Sequence, residues 1–279
     1  MKNGFHVFLA AFVALGISWL GFVLGSILQL GVEGQATVLQ SSDLYPVQRP
    51  GAATMGLQVY RAEGCAACHT EQIRQEGVAC DVVLTAMGNN PAAVKKAVAG
   101  LGAQISDATN ALPKTVLSRV SKAGADAATA SISSAGGTAE IHIVATGPDI
   151  ARGWGVRGSV ARDYLWDDPV QLGNLRAGPD LANVGARLGN VTWQLLHLYA
   201  PQSVVKGSAM PPFRFLFRVE KIGGAPSPDA LQLPKPFAPA PGYEVVPTRD
   251  ARNLAAYLVS LHADVPLFEA PFTPEVSTK

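Results

Sequence analysis

From Phe5 to Val32 the chain carries no Asp, Glu, Lys or Arg, and His6 is its only titratable side chain. Those twenty-eight residues rise roughly 42 Å as a helix, enough to cross a hydrocarbon layer of about 30 Å with some tilt. The run sets one helix apart from whatever the remaining residues build. A cleaved leader is the alternative, but its apolar stretch would be about 7–15 residues long and would end at a small-x-small site. This run is about twice that length and passes into Glu33-Gly34-Gln35 without one. Lys2 and the amino terminus are the only positive charges ahead of it, which puts residues 1–4 in the cytoplasm and everything after Val32 outside. Gly21-x-x-x-Gly25, with Gly16 nearby, is either a helix-packing face or simply the glycine common in membrane helices.

A length of 279 residues suggests two compact units plus extras. Hydrophobic residues at 48% against 15% charged exclude a disordered tail protein. Lys+Arg of 22 against Asp+Glu of 21 leaves no basic surplus, so nucleic acid is not an expected partner. Three cysteines are too few for a disulfide scaffold.

Two of those cysteines stand in Gly64-Cys65-Ala66-Ala67-Cys68-His69, the C-x-x-C-H spacing of c-type haem attachment. Two thiols three positions apart on one helical turn reach the two vinyl groups of one porphyrin, and the next residue presents an imidazole to the iron. Half a zinc site would need a second ligand pair, which Cys80 and the scattered histidines do not supply. A redox dithiol needs neither the adjacent His nor an anchor. The expected cofactor is one covalent haem c on the extracytoplasmic side.

The candidates for a sixth iron ligand are Met210, Met87, Met55, His197 and His262. Met210 lies in Gly207-Ser208-Ala209-Met210-Pro211-Pro212, a loop with neither helical nor strand periodicity. Prolines after a thioether hold it well, and an axial Met fills the iron and favours electron transfer over substrate binding. Met87 and Met55 read as packing residues, and His197 as a surface or core-edge histidine. Thr54 to Glu63 reads as a helix with Gly56 and Tyr60 on one face. Arg249 to His262 reads as another, with Leu254, Tyr257, Leu258 and Leu261 in phase. No general base, nucleophile or copper site is visible, so this chain is not expected to perform oxygen chemistry itself.

Tyr60-x-x-x-Gly64-Cys65-x-x-Cys68-His69-Thr70-x-Gln72-Ile73-Arg74 is followed by Arg152-Gly153-Trp154-Gly155 and Asp163-Tyr164-Leu165-Trp166-Asp167. Then come Pro169 to Gly173, Arg176-Ala177-Gly178-Pro179-Asp180-Leu181, Leu196-His197-Leu198-Tyr199-x-Pro201 and Met210-Pro211-Pro212-Phe213. This series resembles the membrane-anchored mono-haem subunit of cbb3-type cytochrome c oxidases. The resemblance implies thioethers at Cys65 and Cys68, His69 as proximal ligand and Met210 as distal ligand. It makes the Pro179 carbonyl the acceptor for the proximal imidazole N–H. Arg176 becomes either a haem-propionate partner or an ordinary surface arginine. It further implies electron transfer from a donor c-type haem, within a complex containing a haem–copper catalytic subunit and a dihaem c-type subunit. The mono-haem subunit of a nitric oxide reductase and a tethered haem sensor are the alternatives.

Residues 79–147 depart from that family. Cys80 to Leu84, Thr115 to Val120 and Thr138 to Ala145 read as strands. Pro91 to Val98, a short stretch to Asn110, and the residues after Ser121 to Ser134 read as helices. This β-α-α-β-α-β string resembles the C-terminal domain of the bacterial ribosomal stalk protein, in Asp81-Val82-Val83-Leu84, Gly100-Leu101-Gly102, Val120-Ser121-Lys122-Ala123 and Ala135-Gly136-Gly137. Lys95 and Lys96 fit that domain, whereas Gln104, Ser106 and Ala108 replace its charged positions, so its binding role is not carried over. Cys80 reads as inert packing.

The expected fold is therefore mainly α. It consists of a transmembrane anchor at 5–32, a linker at 33–50, and a class I-like cytochrome c domain from 51–78 and 148–262. A small α+β insertion interrupts that domain. Residues 223–247 read as a polar, proline-stiffened strap rather than core, and 263–279 as a tail. The resemblance places the protein in the inner membrane as a single-pass subunit.

Overall fold

The computed structural model describes residues 3–30, 34–39, 41–102 and 112–269. The apolar run forms α1 (Gly4–Trp19), a π-helical stretch (Leu20–Leu24) and α2 (Gly25–Leu30). Gly4–Leu28 has a mean hydropathy of 2.4 with none of it buried, and it is the one helix among the described residues long and apolar enough to cross a membrane. The carboxyl end expected at Val32 lies outside the described residues.

A short antiparallel pair, β1 (Ala36–Thr37) with β2 (Leu44–Tyr45), leads to α3 (Gly51–Ala62). This helix starts earlier than the expected Thr54, because Pro50 supplies an extended N-cap with a fixed φ. The insertion follows as β3 (Gly77–Ala86), α4 (Pro91–Gly100), β4 (Lys114–Val120), α5 (Lys122–Ser134) and β5 (Thr138–Thr146). Its sheet is antiparallel in the order β4-β3-β5. The side chains of Asn90 and Ser121 cap α4 and α5 by accepting from Ala93 and Gly124 N–H. A core of its own includes Cys80, Val82, Leu84, Val94, Val98, Ala128 and Ile132, with Met87 packed against it. The helix expected up to Asn110, with Gln104, Ser106 and Ala108, lies outside the described residues.

The chain then returns through α6 (Pro148–Ala151), α7 (Val184–Arg187), α8 (Val191–Tyr199), β6 (Phe217–Lys221), β7 (Tyr243–Pro247) and α9 (Arg249–Ser260). The main core joins Leu57 and Tyr60 of α3 to Leu195 and Leu198 of α8 and to Leu254, Tyr257 and Leu258 of α9. Gly56 is the point of closest approach, since a Cβ there would lie 1.9 Å from the Asn253 carbonyl oxygen and 2.7 Å from Tyr257 Cβ. The Tyr60 and Tyr257 rings meet at 5.2 Å.

Several expectations change. α9 stops at Ser260 rather than His262, because the Leu261 carbonyl accepts Gly185 N–H at 2.8 Å and Ala263 N–H donates to Asn183 Oδ1 at 2.9 Å. Those bonds pull the chain off the helix and onto α7. Met55 is not a packing residue: it is 48% exposed, pointing away from the α3 face that meets α9. The strap at 223–247 is not purely polar covering. It contributes Leu231, Val245 and Val246 to the interior, and β7 pairs antiparallel with β6 from Phe217–Pro247 to Lys221–Tyr243. The anticipated mainly α body thus carries two small sheets in addition to that of the insertion.

Gly56→Ala tests the α3–α9 crossing. Backbone rather than a flexible side chain blocks the new methyl, so the expected loss lies at the upper end of about 1–3 kcal/mol, measured as a lowered urea midpoint with unchanged slope.

Candidate functional site

α3 delivers the chain to Gly64, whose φ of +67° is a left-handed conformation that glycine adopts without strain. The next residues tighten into a 3-10 turn, Cys65–Ala67, with Cys68 and His69 N–H both donating to the Cys65 carbonyl at 3.1 and 3.0 Å. One turn therefore carries both thiols and the imidazole. Cys65 is half-buried against the main core and Cys68 is exposed, both unpaired. Burial, with help from Glu63, pushes the Cys65 thiol up to about 12. A redox dithiol needs a thiolate nucleophile near neutral pH, and this environment opposes one.

The imidazole is held from a remote segment. Its Nδ1 lies 2.8 Å from the Pro179 carbonyl, leaving Nε2 free of that contact. Gly178 lies under the ring, where a Cβ would fall 2.2 Å from His69 Cε1. Gly178 N–H donates to Cys68 O at 3.0 Å and Leu181 N–H to Thr70 O at 2.7 Å. The fully buried Asp180 carboxylate accepts from the Thr70 hydroxyl at 2.6 Å, Gln72 N–H at 2.8 Å and Ala182 N–H at 2.9 Å. A third segment closes in at Gly173, where a Cβ would lie 2.1 Å from the His69 carbonyl oxygen.

Met210 packs against the same core as Cys65. Its loop is pinned to α8 by Phe213 N–H donating to Leu198 O at 2.8 Å, and to the 3-10 turn Pro201–Ser203 that follows by Gln202 Nε2 donating to Ser208 O at 3.2 Å. His197 on α8 is half-buried and stacks on Trp193 at 4.9 Å, and its Nδ1 is buried without a partner. Burial lowers its pKa, and the nearby His69 adds to that. Of the two positions expected for it, surface or core edge, this half-buried place is the core edge.

Arg176 is committed elsewhere. Its NH1 bonds both oxygens of the buried Asp149 carboxylate, its NH2 donates to Gln72 O, and its guanidinium lies 5.7 Å from the Trp154 ring. Arg187, which sequence reasoning passed over, is a different case. One amino group donates to the Asp180 carbonyl at 2.6 Å, but its Nε is buried without an acceptor, and burial lowers its pKa. Arg176 Nε is buried without an acceptor too, so what sets Arg187 apart is that its amino group bonds a carbonyl and not a carboxylate; such a cation fits an acidic group such as a haem propionate. The signal in the sequence was slight: one arginine amid the small and apolar residues of Val184-Gly185-Ala186-Arg187-Leu188-Gly189.

Two residues past His69, Glu71 is buried and accepts from the Tyr257 hydroxyl at 3.0 and 2.9 Å. Tyr60 OH approaches it without meeting hydrogen-bond geometry. Burial raises its pKa to about 8, against the Tyr257 bond and the Arg49 charge, which act to lower it. Arg49 itself is paired with Asp167.

The residues fit a c-type haem. Two thiols and an imidazole share one turn, a glycine leaves room beneath that imidazole, and a thioether sits on the same core. Among the described residues no group of three or more His, Cys, Asp or Glu is arranged to hold a metal ion. Residues 145–225 match the family described as cytochrome c oxidase, mono-heme subunit/FixO. The match takes in Arg176, Pro179, Arg187 and Met210 but not the Cys65–His69 turn. No curated protein matches the chain.

Glu71 sets an expected pH dependence. Its carboxyl keeps a proton in the fold up to about pH 8, whereas the unfolded chain releases it near 4.5. The folded state holds the extra proton between those values, so this group's contribution falls as pH rises through the window. In Glu71→Gln the decline in unfolding free energy from pH 5 to pH 8 should be shallower than in the parent, as measured by urea titration at each pH. Gly178→Ala should displace the imidazole from Pro179 and appear as loss of the low-spin haem spectrum in protein that still folds by circular dichroism.

Proposed function

We propose that this chain is the electron-transferring mono-haem subunit of a cbb3-type cytochrome c oxidase, built as a class I-like cytochrome c domain on a membrane anchor. The observation that carries the reading is the joint between two stretches of sequence. The family match covers residues 145–225, and within it Gly178, Pro179 and Asp180 close onto Cys68, His69 and Thr70, which lie outside it. The matched segment thus meets, in space, the turn that carries the C-x-x-C-H spacing.

In this reading Cys65 and Cys68 would hold the haem by thioethers, His69 and Met210 would be its iron ligands, and Arg187 would meet one of its acidic groups. Bound there, haem supplies one-electron iron chemistry. The chain's own residues position and tune it. Pro179 O accepts the Nδ1 proton and fixes the ring's orientation, which raises the imidazole's basicity. Gly178 and Gly173 let backbone close around the ligand turn. A thioether ligand from Met210 would fill the iron and favour electron transfer over substrate binding. The electron would come from a c-type haem of a dihaem subunit and go to the haem–copper subunit, with the haem domain on the extracytoplasmic side. Arg176 works as a structural cation on Asp149 rather than as a propionate partner. The stalk-domain likeness of the insertion implies a compact fold and nothing about binding.

The test is purification of the full chain from its native membrane. One covalent haem per chain by pyridine haemochrome, with a haem–copper polypeptide co-purifying, is the expected result, and a blank haemochrome overturns the proposal. Met210→Ala should retain the haem but change from a low-spin spectrum to one that binds carbon monoxide rapidly when reduced.

A further inference from the structure

The linker between the apolar helix and the haem-type domain is docked onto that domain almost from its start. The Gly34 carbonyl accepts from Arg162, Gln35 Nε2 donates to Pro46 O at 3.0 Å, and Leu39 N–H donates to Pro266 O at 3.3 Å. Tyr45 is buried, with its hydroxyl donating to His262 O at 3.0 Å and the Arg157 guanidinium over its ring. Trp166 Nε1 donates to the Pro46 carbonyl at 2.9 Å, and Arg49 is paired with Asp167. From Gly34 to Arg49 the chain is part of the domain's wall.

That docking leaves little slack. The described helix reaches Leu30, and the four backbone steps from there to Gly34 can span at most about 14 Å. If the helix spans the bilayer, the part of the domain around Gly34 cannot leave the membrane surface by more than that distance.

The surface around this point is unusually apolar. Val47 is 74% and Phe268 85% exposed, and Leu39, Leu44 and Trp166 are also exposed. The contacts already named tie them together: Leu39 to Pro266, Leu44 through its pairing with Thr37, and Val47 beside the Pro46 carbonyl that holds the Trp166 indole. Charges at this surface include Asp43, held by the Ser41 hydroxyl, Glu269, paired with Arg162 at 2.8 Å, and the exposed Asp168, two residues from Trp166. Large exposed apolar groups around a tryptophan, beside the exit of a membrane helix, have the composition of an interfacial contact.

We propose that the face formed by Leu39, Leu44, Val47, Trp166 and Phe268 rests on the lipid bilayer, inserting its apolar side chains at headgroup level. The domain is then fixed on the membrane rather than swinging on a leash, so its haem face keeps one height and tilt. This inference rests on the anchor reading, because the short reach matters only if the helix spans.

The experiment is nitroxide labelling of the full chain in phosphatidylcholine/phosphatidylglycerol vesicles, with single cysteines introduced by Val47→Cys, Phe268→Cys, Phe12→Cys or Ser133→Cys. Ser133, exposed on the insertion, serves as the aqueous reference. The expected result is a ratio of oxygen to nickel-chelate collision several-fold higher at positions 47 and 268 than at 133, approaching that at position 12. Lipid-like values at 12 with water-like values at 47 and 268 overturn the proposal while leaving the anchor intact. Water-like values at 12 overturn the anchor reading, and the proposal with it. If 47 and 268 are shielded from both reagents, the face is covered by protein, which also overturns the proposal.

Discussion

The buried Asp180 carboxylate is the contact on which the ligand side of this molecule depends. Its three donors, the Thr70 hydroxyl and the Gln72 and Ala182 N–H groups, come from both sides of the junction between residues 70–72 and 180–182. Hydrogen bonds to a charged group contribute about 1.5–3 kcal/mol each, and a buried carboxylate that lost them would be strongly destabilising. The backbone at Gly178 and Pro179 therefore has little freedom. That fixes the oxygen facing His69 Nδ1 and the close passage of Gly178 beneath the ring. Asp149 does the same job a few residues further along, gripping Arg74 N–H at 2.7 Å and the Arg176 guanidinium.

This arrangement separates two arginines that look alike in sequence. Arg176 has a buried carboxylate partner in Asp149 and one carbonyl acceptor in Gln72, although its Nε, like that of Arg187, is buried without an acceptor. Arg187 meets only a carbonyl, and burial works against its charge. A cation of the second kind is better matched to an anionic ligand than one of the first, because binding would remove a penalty instead of breaking a pair. Proximity to the Gly-Pro segment suggested Arg176, but the hydrogen-bond partners favour Arg187.

What could be read from the sequence was local. The helices α3 and α9 follow from apolar spacing, and the glycine–tyrosine face of α3 does meet an aromatic of α9. The elements of the insertion show because Pro91, Ser121 and Gly136-Gly137 punctuate them. Non-local pairings left no such mark. Asp149 and Arg176 are far apart in sequence, as are Arg49 and Asp167, and nothing in the periodicity of either stretch joins them. Val245 and Val246 were hidden for a different reason. Prolines around them suppress any repeat, although the strand they form is held by ordinary antiparallel pairing.

The insertion shows why so large a departure leaves the site undisturbed. β3 and β5 begin and end side by side, Gly77 opposite Thr146, and Glu76 N–H donates to Thr146 O at 2.9 Å just below. A segment whose ends are already adjacent adds little closure cost to its host, since that cost grows only with the logarithm of loop length and its own sheet pins the ends together. Its core, centred on Val82, Val94 and Ile132, is distinct from the one that carries Cys65 and Met210. Arg74 N–H, Gln75, whose Oε1 accepts Gly158 N–H at 2.9 Å, and the Gly147 turn, where a Cβ would lie 3.0 Å from the Arg74 carbonyl oxygen, sit at the junction itself. The buried Asp149 stands between that junction and the ligand turn. The host domain thus keeps one carboxylate to hold each end of the segment leading out of the haem-type turn, Asp180 at Thr70 and Asp149 at Arg74.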